Sequence, residues 1–219
     1  MLTFFDVKNN SEVKTYITAA DEALSALGYT EHSFAHVGRV ASDAAMILTT
    51  LGYKNRVVEL SMIAAYLHDI GNLVNRKDHS QSGAVMAFRI LDRLGMPPEE
   101  IAAVVSAIGN HDEGTGVPVN AVAAALIIAD KSDVRRTRVR NSDAATFDIH
   151  DRVNYSVENS TLTVDKDSSE ISLSLKIDTS ISSIMDYFEI FLERMIMCRR
   201  AAESLGQRFR LFINDQNII

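Results

Sequence analysis

Residues 121–129, Ala-Val-Ala-Ala-Ala-Leu-Ile-Ile-Ala, form the longest apolar run of the chain, and the run ends on an acid, Asp130. It falls well short of the roughly 18 apolar residues that a membrane span requires, so it reads as part of a buried helix. A charged carboxylate at the end of such a helix is costly unless it is paired or holds a cation. The pattern recurs where Ala64-Ala65-Tyr66-Leu67 leads into His68-Asp69. Any fold of this chain has to supply positive charge to both acids.

Helical spacing, punctuated by glycine and proline, fills the first two-thirds of the chain. It predicts helices over 11–27 with Ser11 as N-cap, 33–51, 55–68, and 80–94, each closed by a following glycine. Pro97-Pro98-Glu99-Glu100 is a helix start, because proline suits the first turn and acids suit its dipole. That helix ends near Gly109, and the next runs from Asn120 into the arginines after Asp133.

Near Phe147 the pattern changes. Residues 152–157, 162–164 and 170–177 read as strands; in the last, Ile171, Leu173, Leu175 and Ile177 alternate with polar residues. Glu158-Asn159-Ser160 and residues 166–169 are the expected turns. A long amphipathic helix follows over 181–205, then a strand over 208–213. The expectation is a mainly α protein: a helical domain over 1–147 and a small α+β unit (β-β-β-α-β) over 148–219, a regulatory or dimerisation module. The apolar stripe from Ile181 to Met197 suits packing on its own sheet or on a second copy in a homodimer.

The net charge of −7 and the lack of a basic stripe argue against a nucleic-acid partner. The first residues lack the basic and apolar regions of a signal peptide, and no membrane segment is expected. The single cysteine, Cys198, allows no intramolecular disulfide. A cytoplasmic location fits these features.

Five of the six histidines lie in the helical part: His32, His36, His68, His79 and His111. With Asp69 and Asp130 they form an ordered set of imidazoles and carboxylates, which suits a divalent transition metal such as iron, manganese, zinc, cobalt or nickel. Two metals sharing a carboxylate can lower the pKa of a bound water and steady the attacking and leaving oxygens of a displacement at phosphorus.

The contexts of these residues resemble the HD superfamily of metal-dependent phosphohydrolases. His36-Val37-Gly38-Arg39-Val40-Ala41 is similar to its H-x-x-R-V-A helix, and His68-Asp69-Ile70-Gly71 to its H-D-I-G core. His79-Ser80-Gln81-Ser82-Gly83-Ala84 resembles the H-x-x-x-G-A step of its two-metal branches, Asn110-His111-Asp112-Glu113 its H-H-x-E region, and Ala129-Asp130 its distal A-D. The resemblance implies an HD-type helical bundle in which His36, His68, Asp69 and Asp130 hold one metal. Asp69 would bridge to a second, held by His79 and His111. It further implies hydrolysis of a phosphate ester or anhydride, of a nucleotide or another small phosphorylated molecule, by a metal-activated hydroxide. Lys131 and Arg135 are the candidates for neutralising the phosphoryl oxygens.

The motif order is nearest to the HD-GYP and RNase Y branches, without their substrate-defining signatures. Position 72 is Asn where HD-GYP proteins carry Lys, and Gly114-Thr115-Gly116-Val117-Pro118 replaces their G-Y-P segment. A metal-loaded sensor that binds without turnover is the alternative; the net charge counts against a small ribonuclease. His32, four residues before His36, is either an additional ligand on the same helix face or a residue behind the site. Arg135, Arg136, Arg138 and Arg140 are either a phosphate rim or a solvated helix end. Arg39 either reaches substrate or pairs with an acid. His150 reads as structural, Met185, Met195 and Met197 as packing residues, and Gly114 and Gly116 as a turn.

Overall fold

The computed structural model describes residues 1–219. The bundle comprises α1 (Phe4–Asn9), α2 (Ser11–Ala26), α3 (Phe34–Thr50), α4 (Asn55–Leu67), α5 (His79–Arg93), α6 (Pro98–Gly109) and α7 (Ala121–Ser132). The apolar run is its axis. Val122 to Ala129 are all buried, and α3, α4, α6 and a later helix pack around them. Leu126, Ile127 and Ile128 have no exposed surface, and each such burial stabilises the fold by about 1.5–3 kcal/mol. Asn120 fixes the start of α7. Its side chain accepts from the Ala123 N–H at 2.8 Å, and its amide donates to Ser106 on α6 at 2.9 Å.

Several helix ends differ from the sequence expectation. Helix α1, closed by a Thr3–Asp6 capping box, was not expected, and Asn10 rather than Ser11 caps α2. Helix α3 begins after its cap, Ser33, so His32 precedes the helix instead of sharing its face with His36. Helix α7 stops at Ser132; Asp133 turns the chain, and the arginines that follow are not helical, apart from a 3-10 turn at Arg136–Arg138.

The strand expected over 152–157 is instead helix α8 (Ile149–Ser156). Asp148 caps it, accepting from the Asp151 N–H at 2.8 Å, and this local bond outweighs the weak alternation of the segment. The expected turn at Glu158-Asn159-Ser160 lies inside strand β1 (Val157–Asp165), where the pairing register shifts between Val157 and Asn159. A bulge absorbs these polar residues without ending the strand. Strand β2 (Glu170–Ile177), helix α9 (Ile184–Ser204), β3 (Arg208–Ile213) and β4 (Gln216–Asn217) follow. The C-terminal unit is therefore a helix, a hairpin, a helix and two strands.

The sheet order is β1-β2-β3-β4. Strands β2 and β3 are parallel, so they need a crossover, which α9 provides. Helix α9 also packs on α7, and one apolar core of 51 buried residues runs from the bundle into the sheet. The Ile181–Met197 stripe buries Tyr187, Phe191, Met195 and Met197 in that core, while Met185 and Leu192 are exposed. No helix is long and apolar enough to cross a membrane.

Candidate metal centre

Six side chains converge from helix ends. His36 lies in the first turn of α3, His68 just past α4, His79 at the start of α5, His111 past α6 and Asp130 in the last turn of α7. Asp69 opens the 3-10 turn Ile70–Leu73. That turn sits directly on the start of α5: a Cβ on Gly71 would stand 1.9 Å from the His79 carbonyl oxygen and 2.4 Å from the Gly83 nitrogen. Only glycine lets the Asp69 turn and His79 come together.

The donor atoms form two adjoining groups. On one side His36 Nε2 lies 3.3 Å from Asp130 Oδ1 and 3.6 Å from Asp69 Oδ2, and His68 Nε2 lies 3.6 and 3.2 Å from the same two oxygens. On the other, His79 Nε2 lies 3.2 Å from His111 Nε2 and 3.5 Å from Asp69 Oδ1. Donors sharing one cation at about 2.0–2.2 Å stand about 3–3.6 Å apart; His36, His68 and Asp130 lie close enough together to hold an ion, as do His68, Asp69 and His111, with His79 adjoining the second set. Asp69 presents one oxygen to each.

Each imidazole is oriented by its other nitrogen. His68, His79 and His111 donate Nδ1–H to the carbonyls of Ala65, Arg76 and Ile108 at 2.7, 3.1 and 2.6 Å. His36 donates to Asp133 Oδ2 at 2.8 Å. A carbonyl only accepts, so Nδ1 carries a proton and Nε2 is the nitrogen that faces inward, available to a cation once it is unprotonated. Nε2 of His36 and of His68 are buried and have no hydrogen-bond partner. Buried polar atoms are rarely left so, and a cation at this point satisfies both. The donor set of four imidazoles and two carboxylates fits a divalent transition metal.

The charge balance points the same way. Burial drives the pKa of His79 down to about 4 and that of His111 well below the ordinary histidine range, so both are neutral, as ligands must be. Burial also opposes charge on His68, but Asp69 and Asp130 outweigh it and push its pKa up to about 10. Without a cation, that histidine keeps a proton between the two acids; a bound cation takes the proton's place. Burial alone would raise Asp69 and Asp130, yet His68 beside the first and Lys131 beside the second hold both well below the usual carboxylate range. Asn72, at the position where the sequence departs from the HD-GYP pattern, donates to Asp69 Oδ1 at 2.8 Å.

The basic residues are placed less simply. Lys131 is buried in the cluster, 2.8 Å from Asp130 Oδ2 and 3.4 Å from Glu113. Arg135 does not face the cleft as expected. Its Nε and Nη2 bond both oxygens of Asp133 at 2.5 and 2.9 Å, so it acts behind His36. Arg136 stacks on Tyr155 and Arg140 pairs with Asp21. Of the four arginines only Arg138 lines the cleft, together with Lys131, His32, and two residues the sequence did not single out, Arg76 and Arg194. Arg194 comes from α9, more than sixty residues beyond Asp130, and no local pattern announces it. It pairs with Glu113 at 2.6 Å. Arg39 pairs with Asp43 and Asp133 at 3.5 and 3.4 Å and donates to the Ser160 carbonyl at 2.8 Å. His32 lies edge-on to His36 at 5.4 Å between ring centres, outside both donor groups, with Nδ1 on the Thr30 carbonyl.

Residues 33–153, more than half of the chain, match the HD domain family. The chain belongs to that family. Among curated proteins, an uncharacterized protein of Methanocaldococcus jannaschii is 28% identical to this HD domain protein over 163 residues, 64% of this chain and 62% of that one. The match thus spans less than two thirds of the relative's length. Among solved structures, a predicted HD superfamily hydrolase from an uncultured Thermotogales bacterium is 25% identical; the match covers 57% of this chain and 67% of that one, with a TM-score of 0.46.

Proposed function

We propose that this HD domain protein hydrolyses a phosphate ester or anhydride of a small molecule, a nucleotide among the candidates, at a centre that takes two divalent transition metals. The observation that carries the reading is Asp69, whose Oδ2 faces His68 while its Oδ1 faces His79. Two cations would supply Lewis acidity and a water of lowered pKa. His36, His68 and Asp130 would hold the first, His79 and His111 the second, with Asp69 between them.

The chain's own residues supply the rest. Lys131, whose burial is more than offset by Asp130 and Glu113, keeps a raised pKa and stays charged. It neutralises Asp130 and offers its ammonium to a phosphoryl oxygen. Arg76, Arg138 and Arg194 line the approach and orient the phosphate by charge-assisted hydrogen bonds. Arg135 is a positioning residue: it holds Asp133, which holds His36.

The test is metal analysis of wild type and Asp69→Ala beside hydrolysis of p-nitrophenyl phosphate. The expected result is about two ions per chain and metal-dependent turnover, both lost in the variant. Full metal with retained turnover in Asp69→Ala would overturn the assignment. Tight nucleotide binding without turnover by the wild type would make the protein a sensor.

A further inference from the structure

The narrow cleft over the metal centre opens into a larger cavity of about 420 Å³, within the range of small-molecule sites. The two share His32, Arg76, Arg138 and Arg194, so the three arginines ring the passage between them. Arg76 is the least committed of these cations. Its guanidinium lies 5.9 Å over the Tyr29 ring and touches Asn72 and His79, and no carboxylate pairs with it.

The outer wall has the opposite sign. Asp148, the cap of α8, and Asp151 in its first turn face the cavity, with Asn154 beside them. Neither acid is in an ion pair: Asp148 caps its own helix, and Asp151 accepts only a 3.3 Å bond from Asn141. Asn154 spends its amide on the His150 carbonyl at 2.9 Å, which leaves its oxygen as an acceptor. His150, expected to be structural, is exposed and lines this wall. Tyr29 and Phe191 add aromatic surface.

We propose that this cavity receives the organic half of the substrate and sets its specificity. It takes an uncharged group bearing hydroxyl or amino donors and a single phosphoryl group, and it rejects one that carries a second anionic group. The proposal rests on the phosphohydrolase reading, which puts the phosphoryl group at the arginine ring. From there the donors of the organic group meet Asp148, Asp151 and Asn154, while a second phosphate would meet two carboxylates. All three acceptors, with Phe191 and Arg194, come from α8 and α9. The C-terminal unit thereby completes the site.

The experiment compares adenosine 5′-monophosphate with adenosine 3′,5′-bisphosphate on the metal-loaded full chain. Kd is read where there is no turnover, and kcat/KM where there is. Wild type should prefer the monophosphate by about tenfold or more, the size of one unfavourable charge contact. The ratio should fall to near one in Asp148→Asn/Asp151→Asn, in which asparagine preserves the helix cap. Equal or tighter recognition of the bisphosphate by wild type, an unchanged ratio in the variant, or no binding of either compound would each overturn the proposal. Hydrolysis of p-nitrophenyl phosphate without the expected ratio removes the specificity wall alone. The expected ratio in binding, without turnover of any ester, removes the hydrolase reading alone.

Discussion

Asp133 Oδ2 accepts the Nδ1–H of His36 at 2.8 Å across 97 residues of sequence, and both side chains are fully buried. Arg135 at 2.5 Å, Arg39 at 3.4 Å and Arg138 at 3.8 Å surround the same carboxylate. Burial works against charge on Asp133, but the hydrogen bonds from His36 and Arg135 hold it ionised, well below the usual carboxylate range. Asp133→Asn keeps an oxygen that can accept from His36 but removes the charge that steadies it, and should lower metal affinity by about tenfold, at the low end for a lost partner behind a ligand. Titration with a competing chelator measures this; unchanged affinity would contradict the positioning role.

The two donor groups should empty separately. His36→Ala removes a ligand of one group only, and His79→Ala a ligand of the other only. Each variant should retain about one ion per chain where the wild type retains about two. Elemental analysis after desalting decides it. Loss of both ions from both variants would mean a single cooperative centre instead.

Gly71→Ala should be severely destabilising. The added carbon would stand 1.9 Å from the His79 carbonyl and 2.7 Å from Ser82 Oγ, and the nearest obstacles are backbone, which cannot rotate away. Overpacking of this kind costs about 1–3 kcal/mol or more. Urea unfolding should show the loss, and the folded fraction should bind less metal at the His79 side. A stability within about 0.5 kcal/mol of wild type would show that the turn can shift.

Glu100 reports on stability away from the centre. Arg56 donates to it through Nε at 2.7 Å and again through Nη2, and these bonds hold its pKa below the ordinary value. A lowered folded-state pKa stabilises the fold above the unfolded value, and that stability is lost as pH falls through the folded one. Glu100→Gln should therefore cost up to about 1 kcal/mol at neutral pH and less as pH drops below about 4.3. Denaturation midpoints of both proteins across this range test it; a gap that widens toward acid would reverse the sign.

The sequence by itself determined the helical class, the apolar run that becomes the buried helix α7, and, through its resemblance to the HD motifs, the six side chains that converge. His68-Asp69 and Asp130 are legible because each sits where an apolar run breaks: Leu67 before His68, Ala129 before Asp130. Local rules failed where a short-range bond competed with periodicity, as at the Asp148 cap that makes residues 149–156 a helix, and at the bulge that keeps Asn159 in a strand. Only the tertiary structure decided which cations serve the site. It gave Arg135 to Asp133 and brought in Arg76 and Arg194. Periodicity records how a residue sits on its own element, which the neighbouring turn sets. The partner of a long charged side chain depends on how separate elements pack, and no spacing along the chain encodes that.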